Sequence, residues 1–148
     1  MQTGARRALY CAVIRRGKVT IPFWCLSFMI FLPYALSTLG GYLRIRRFGY
    51  YDNKNPRAQA AQLEGMGPRI YAAQQNTWES VIVFAVAVLV AHLAGAEGAA
   101  SATAAVLFVV LRVLYCFAYA LDWDRLRTLL FMAAMGCCVW LLALAIVA

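Results

Sequence analysis

The stretch RIYAAQQNTWESVIVFAVAVLVAHLAGA, residues 69–96, decides the fold class of this chain. A helix crosses the hydrocarbon core of a bilayer with about 20 predominantly apolar residues, and this stretch is long and apolar enough to do so. Its first half nevertheless contains an amide cluster and the carboxylate of Glu79. Because burying a charge in hydrocarbon is costly, such a residue is a candidate functional residue. The stretch therefore predicts a membrane helix that carries part of a site.

The composition of the whole chain indicates the same class. Of its 148 residues, 64% are hydrophobic, and the mean hydropathy is +0.70. These values are typical of an integral membrane protein. The formal net charge is +8, and the basic residues lie beside the apolar runs, where they would meet lipid headgroups. This placement favours membrane lipid as a partner and argues against nucleic-acid binding.

Four apolar segments predict four membrane-spanning helices within a single transmembrane domain, residues 1–148. The predicted spans are residues 19–42, 70–94, 99–121 and 126–147, and a basic loop, residues 43–69, joins the first two. The other two connections are tight turns, which force neighbouring helices to run antiparallel. The sequence therefore predicts an all-α, up-down bundle of four helices.

The distribution of basic residues predicts an orientation. One end of the bundle receives eight: Arg44, Arg46, Arg47, Lys54, Arg57, Arg69, Arg125 and Arg127. The other end receives five: Arg6, Arg7, Arg15, Arg16 and Lys18. Because cytoplasmic loops carry the excess of Lys and Arg, we expect loop 43–69 and loop 122–125 to be cytoplasmic. The alanine-rich composition suggests a bacterial inner membrane.

Polar residues on the second and third spans predict a polar seam between them. Asn76 and Glu79 share one helical face, and Arg112, Tyr115 and Tyr119 share another. Counting from the predicted helix ends puts Glu79 and Arg112 at the same depth, so the two are expected to pair. One interpretation is that this pair only joins two helices. The other is a ligand pocket.

Three arginines at the edge of the seam favour the pocket. Arg44, Arg69 and Arg127 end or begin spans at the side on which the seam opens. Guanidinium groups bind carboxylates through charge-assisted hydrogen bonds and stabilise a thiolate or an oxyanion. The five cysteines contain no C-x-x-C pair, so we expect packing residues and no metal site.

Two motifs then carry a family resemblance. NTWE, preceded by RIYAAQQ, resembles the second-helix signature of the MAPEG family, the membrane-associated proteins in eicosanoid and glutathione metabolism. The R-x-x-Y-x-x-x-Y pattern of Arg112, Tyr115 and Tyr119 is similar to the third-helix signature of its leukotriene C4 synthase branch. YYDNKNPR, residues 50–57, resembles the first loop of bacterial members. The resemblance extends from about Pro22 to the end of the chain.

The resemblance implies a homotrimer of four-helix protomers. Glutathione, the expected co-substrate, would bind between protomers, and a lipophilic substrate would enter from the bilayer. Arg127 would stand beside the thiol as the catalytic residue. The glutathione-binding residues would be Arg44, Arg69, Asn76, Glu79, Arg112, Tyr115 and Tyr119. Ala72 stands where several members of the family have arginine, and Gln75 stands where the prostaglandin E synthase branch has another, so two cations are expected to be missing.

Four functions follow from these patterns. The favoured one is a glutathione-dependent transferase or peroxidase, a microsomal-type glutathione S-transferase, acting on lipophilic electrophiles. The alternative on the same fold is a non-catalytic, lipid-binding scaffold. A proton-coupled exporter would need a membrane carboxylate free of a basic partner, which the expected Glu79–Arg112 pair disfavours. A quinone-linked thiol oxidase would need cysteine pairs that this chain lacks.

Overall fold

The computed structural model describes residues 19–148. The five basic residues counted at the N-terminal end (Arg6, Arg7, Arg15, Arg16 and Lys18) lie outside the described residues. Within residues 19–148 there are four long helices and one short helix: α1 (Ile21–Phe48), α2 (Pro56–Ala61), α3 (Met66–Leu93), α4 (Ala99–Ala120) and α5 (Asp124–Val147). The four long helices are long and apolar enough to cross a membrane. The predicted all-α, four-helix bundle is confirmed.

Contacts at the two ends of the bundle show that neighbouring helices run antiparallel. The ring of Phe23, near the start of α1, packs edge-on against His92 at the end of α3, with 4.9 Å between the ring centroids. At the opposite end, Arg69 near the start of α3 pairs with Asp122, which follows α4. We call this second end, which also carries residues 49–65, the basic end.

The boundaries of the long loop differ from the prediction of residues 43–69. Helix α1 continues through the arginines to Phe48 and ends where Gly49 adopts a left-handed conformation, with φ of 79°. The N–H of Gly49 donates to the carbonyl of Ile45 at 2.9 Å, as is usual at a glycine C-cap. Basic side chains in a last helical turn are compatible with helix because they complement the helix dipole.

The connection between α1 and α3 is held by its own hydrogen bonds. Asp52 Oδ1 accepts from the backbone N–H groups of Lys54 and Asn55, both at 2.9 Å. The buried side chain of Gln59 on α2 donates to the carbonyl of Tyr50 and accepts from the N–H of Asp52, both at 3.0 Å. These bonds tie α2 to the preceding turn and give the segment a defined shape.

Two apolar clusters fill the interior between the long helices. In the half away from the basic end, Phe84 and Phe108 stack in parallel, with 4.0 Å between centroids. Nearer the basic end, Leu36, Ile70 and Ala73 pack around Tyr115. Large apolar side chains on the outside remain exposed, among them Phe31, Ile82 and Ile146, which suits helices that contact lipid. The second cluster supports the polar residues described next.

Candidate functional site

The polar seam between α3 and α4 centres on Arg112. Its side chain is fully buried, at 0% exposure, and its Nη2 donates to Asn76 Oδ1 at 3.1 Å and to Thr77 Oγ1 at 3.4 Å. The Thr77 hydroxyl itself donates to the carbonyl of Ala73 at 2.6 Å. An amide and a hydroxyl on α3 therefore hold the guanidinium of α4.

The predicted ion pair between Glu79 and Arg112 is wrong. Among the described residues, the ion pairs within 4.0 Å are Arg69–Asp122 and His92–Glu97, and Glu79 is exposed. The error lies in the depth count, because α3 begins at Met66 and not at residue 70. A helix that starts one turn earlier brings Asn76, one turn before Glu79, to the level of Arg112.

Aromatic rings extend the seam from Arg112 toward the basic end. The Arg112 guanidinium lies 4.2 Å from the Tyr115 ring centroid, and the rings of Tyr115 and Tyr119 meet edge to face at 5.6 Å. The guanidinium of Arg127 on α5 lies 4.4 Å from the Tyr119 ring centroid. We call Arg112, Tyr115, Tyr119 and Arg127 the ladder. With Asn76, which is hydrogen-bonded to Arg112, the structure thus brings five of the predicted site residues together.

The ladder explains how the bundle accommodates a buried charge. Arg112 Nε and Nη1 have no hydrogen-bond partner in the described part of the chain, and no carboxylate lies within ion-pair distance there. The face of the Tyr115 ring offers the guanidinium an attraction worth about 2 kcal/mol when the pair is desolvated. Within one protomer the Arg112 side chain is enclosed by protein. Its immediate role is to join α3 to α4.

Asn76 and Glu79 lead from the ladder to the outside of α3. Asn76 is half-buried, whereas Glu79 and Gln75 are exposed on the same outer face as the apolar side chains of Ile82 and Val86. A carboxylate on such a face is unfavourable against hydrocarbon. We therefore expect polar groups, of a ligand or of another polypeptide, to contact this face and shield Glu79 from lipid.

Arg69 is already engaged within the protomer. Its Nη1 lies 2.5 Å from Asp122 Oδ2, and Asp122 has a positive φ of 64° between α4 and α5. The pair joins the start of α3 to the α4–α5 turn. Arg69 was predicted to bind glutathione, and the structure gives it a contact that a ligand carboxylate would have to replace.

Arg44 lies apart from the ladder, on the other flank of α3. It is 4% exposed, its Nη1 donates to the carbonyl of Pro56 at 2.9 Å, and its guanidinium lies 4.1 Å from the Tyr51 ring centroid. It lines a groove of about 790 Å³ between α1, α2 and α3. We refer to this space, which is also lined by Arg57, Tyr71, Gln74, Gln75 and Trp78, as the groove.

The predicted site residues therefore form two groups. Among the described residues, the lining of the groove includes Arg44 but none of Asn76, Glu79, Arg69 and the four ladder residues. Residues that sequence reasoning missed belong to both groups: Thr77 in the seam, and Tyr51 and Arg57 in the groove. Thr77 lies inside NTWE and the other two inside YYDNKNPR, so each was part of a motif without being singled out.

Comparison with known proteins gives one match. Residues 21–147 match the model of the MAPEG family. No curated protein and no solved structure matches the chain. The matched range includes all five helices and every residue of the ladder and the groove.

Proposed function

The chain belongs to the MAPEG family, and on that premise we propose that it is a glutathione-dependent membrane transferase or peroxidase that acts on lipophilic electrophiles. The family includes such enzymes and also members without catalytic activity. The observation that carries the proposal is the ladder, because it holds the guanidinium of Arg127 against the Tyr119 ring. A fixed cation at the basic end of the bundle is what a reactive thiolate needs.

The chemistry assigned to Arg127 is stabilisation of the glutathione thiolate. A free thiol has a pKa of about 8.5 and is mostly protonated at pH 7, although the thiolate is the nucleophile. A guanidinium beside the sulfur favours the thiolate, and the thiol proton leaves to water. In a substitution reaction the sulfur–carbon bond then forms while the bond to the leaving group breaks, and the leaving group departs with the electron pair. A site that opens to lipid would supply apolar electrophiles.

The two groups of polar residues support a site shared between protomers. The groove with Arg44 lies on one flank of α3 and the ladder on the other, with Glu79 on the outer face between them, so a ligand that contacts both the groove and the ladder would lie between two copies of the chain. We therefore propose a homotrimer in which one copy presents Asn76, Glu79 and the partly exposed end of the ladder, Tyr119 and Arg127, and the next presents the groove. The exposure of Glu79 supports this arrangement, because a second copy would shield the carboxylate from hydrocarbon.

The topology proposed from the charges completes the assignment. The Arg69–Asp122 pair lies between the α1–α3 connection and the α4–α5 turn, so both lie at one end of the bundle. We propose that this basic end faces the cytoplasm of a bacterium, where glutathione is available, and that the protein resides in the inner membrane.

A non-catalytic, lipid-binding scaffold is the second candidate. One observation favours it: Arg44, Arg69 and Arg112 each already contact a protein group. Fewer cations then remain to hold the two carboxylates of glutathione.

The exporter hypothesis was disfavoured because Glu79 was expected to pair with Arg112. That objection no longer applies, because no basic group lies within 4.0 Å of Glu79 in the part of the chain that the structure describes. Membership of the MAPEG family gives the exporter hypothesis no support.

Turnover by the purified protein tests the proposal. We expect conjugation of glutathione to chlorodinitrobenzene, or reduction of a lipid hydroperoxide, and a fall in kcat on the order of 100-fold for Arg127→Ala. Arg125→Ala is the matched control, because Arg125 is an exposed arginine two positions away. Absence of turnover with several electrophiles and hydroperoxides, together with absence of glutathione binding, would favour the scaffold.

A further inference from the structure

The groove is electropositive, and one of its two cations, Arg57, is not among the site residues predicted from the sequence. Of the described side chains that line it, only Arg44 and Arg57 are charged, and none is acidic. Its volume of about 790 Å³ lies within the range of about 300–1,000 Å³ that is typical of small-molecule sites. Two guanidinium groups without a carboxylate indicate a ligand with two negative charges.

Arg44 uses only part of its guanidinium for contacts within the protomer. Only Nη1 is used, for the bond to the Pro56 carbonyl, and the buried Nε has no partner within the described residues. Nη2 is not among the buried atoms and forms no hydrogen bond within the described residues, so it can donate to a ligand carboxylate while Nη1 continues to hold Pro56.

Arg57 is presented to the same groove by a segment of fixed shape. It follows Pro56 on α2, and α2 is held by the Gln59 bonds to Tyr50 and Asp52 and by the Arg44 bond to Pro56. The Arg57 side chain is exposed, and no carboxylate lies within 4.0 Å of it among residues 19–148. Its guanidinium is thus available, and its backbone needs little further ordering when a ligand binds.

The remaining wall of the groove suits a peptide. Gln74 and Gln75 contribute side-chain amides, which can both donate to and accept from peptide groups. The hydroxyl of Tyr71 is buried and has no partner in the described part of the chain. Polar groups of this kind between two cations fit a short peptide with a carboxylate at each end.

We infer that Arg57 is a ligand-binding residue, and that Arg44 and Arg57 each bind one of the two carboxylates of glutathione. The inference rests on the proposed function and adds to it the residue that recognises the second carboxylate. It also gives YYDNKNPR a function, since this motif builds the turn and the short helix that carry Arg57.

Binding of glutathione and its two monoesters to the full-length protein in nanodiscs tests the inference. We expect Arg57→Ala to weaken glutathione binding about tenfold by calorimetry and Arg57→Lys to weaken it less. Lys54→Ala is the control, because Lys54 is an exposed cation of the same connection that does not line the groove. With one of the two monoesters, the effect of Arg57→Ala should disappear, because the carboxylate that Arg57 binds is then masked.

The outcomes separate this inference from the proposed function. If the wild-type protein binds glutathione and Arg57→Ala binds as Lys54→Ala does, or loses the same factor with both monoesters, Arg57 does not recognise a carboxylate and the inference is overturned alone. If the wild-type protein binds no glutathione, the proposed function fails and the inference fails with it.

Discussion

At the scale of single residues, Arg112 shows how a charge is accommodated inside a membrane bundle without a carboxylate. The Nη2 atom of the guanidinium donates to Asn76 and Thr77, and one face of the group lies on Tyr115. The stack depends on the planar shape of the guanidinium, because an ammonium group cannot lie flat on the ring and donate hydrogen bonds in its own plane at the same time. Arg112 therefore positions Asn76 and Tyr115.

Substitution of Arg112 by lysine tests that role. Arg112→Lys keeps the charge but loses the planar stack and the Nη2 donor, so we expect a loss of roughly 2–4 kcal/mol in stability. Thermal unfolding in detergent, measured with and without glutathione, gives the effect. The same change at exposed Arg125 should alter the melting temperature little. Equal melting temperatures for the two variants would show that the cationic charge of Arg112 is sufficient and its shape unimportant.

The face on which the ladder residues lie could be predicted from the sequence, whereas their partners could not. The spacing of Arg112, Tyr115 and Tyr119 along one face of α4 follows from helix geometry. Which residue of α3 meets Arg112 depends on where α3 begins, and the polar start of that helix, from Met66, gave no hydrophobic signal. A shift of one turn was enough to replace Asn76 by Glu79 in the prediction.

At the scale of elements, the four long helices were predictable because apolar runs of about 20 residues are a strong signal. The structure of residues 49–65 was not predictable from hydropathy. Its shape comes from single hydrogen bonds of Asp52 and Gln59, and α2 is too short for a periodic pattern to identify. Arg57 was counted only as a positive charge for this reason.

The contact between α1 and α3 depends on a glycine. A Cβ at Gly40 would come within 3.0 Å of the Tyr71 ring, whereas a Cβ at Gly136 on α5 would meet nothing within 4 Å. Gly40→Ala should therefore destabilise the protein by roughly 1 kcal/mol, because overpacking costs about 1–3 kcal/mol and the gain in helix propensity offsets part of it. Gly136→Ala should instead stabilise it by about 0.5–1 kcal/mol.

Thermal unfolding of both glycine variants in the same detergent measures this difference. Because Tyr71 also lines the groove, Gly40→Ala should weaken glutathione binding as well. A stabilising effect of Gly40→Ala similar to that of Gly136→Ala would mean that α1 and α3 separate easily, contrary to the close contact described.

At the scale of the whole molecule, helix α3 divides the polar residues between two surfaces. One flank carries Asn76 and the ladder behind it, the other flank carries the groove with Arg44, and the outer face between them carries Glu79. A second copy of the chain would bring the ladder of one protomer beside the groove of another. In the proposed homotrimer, the ladder of one protomer and the groove of the next would therefore bind the same ligand.

The proposed function requires the ladder to present Arg127 to a thiolate, and the ultraviolet difference spectrum of bound glutathione shows whether it does. We predict that adding glutathione at pH 7 to the detergent-solubilised wild-type protein produces thiolate absorbance that saturates with binding. Arg127→Ala should bind glutathione without that absorbance, and Arg125→Ala should behave as the wild type. Glutathione that binds the wild-type protein as a protonated thiol, or an equal thiolate signal from Arg127→Ala, would contradict the account.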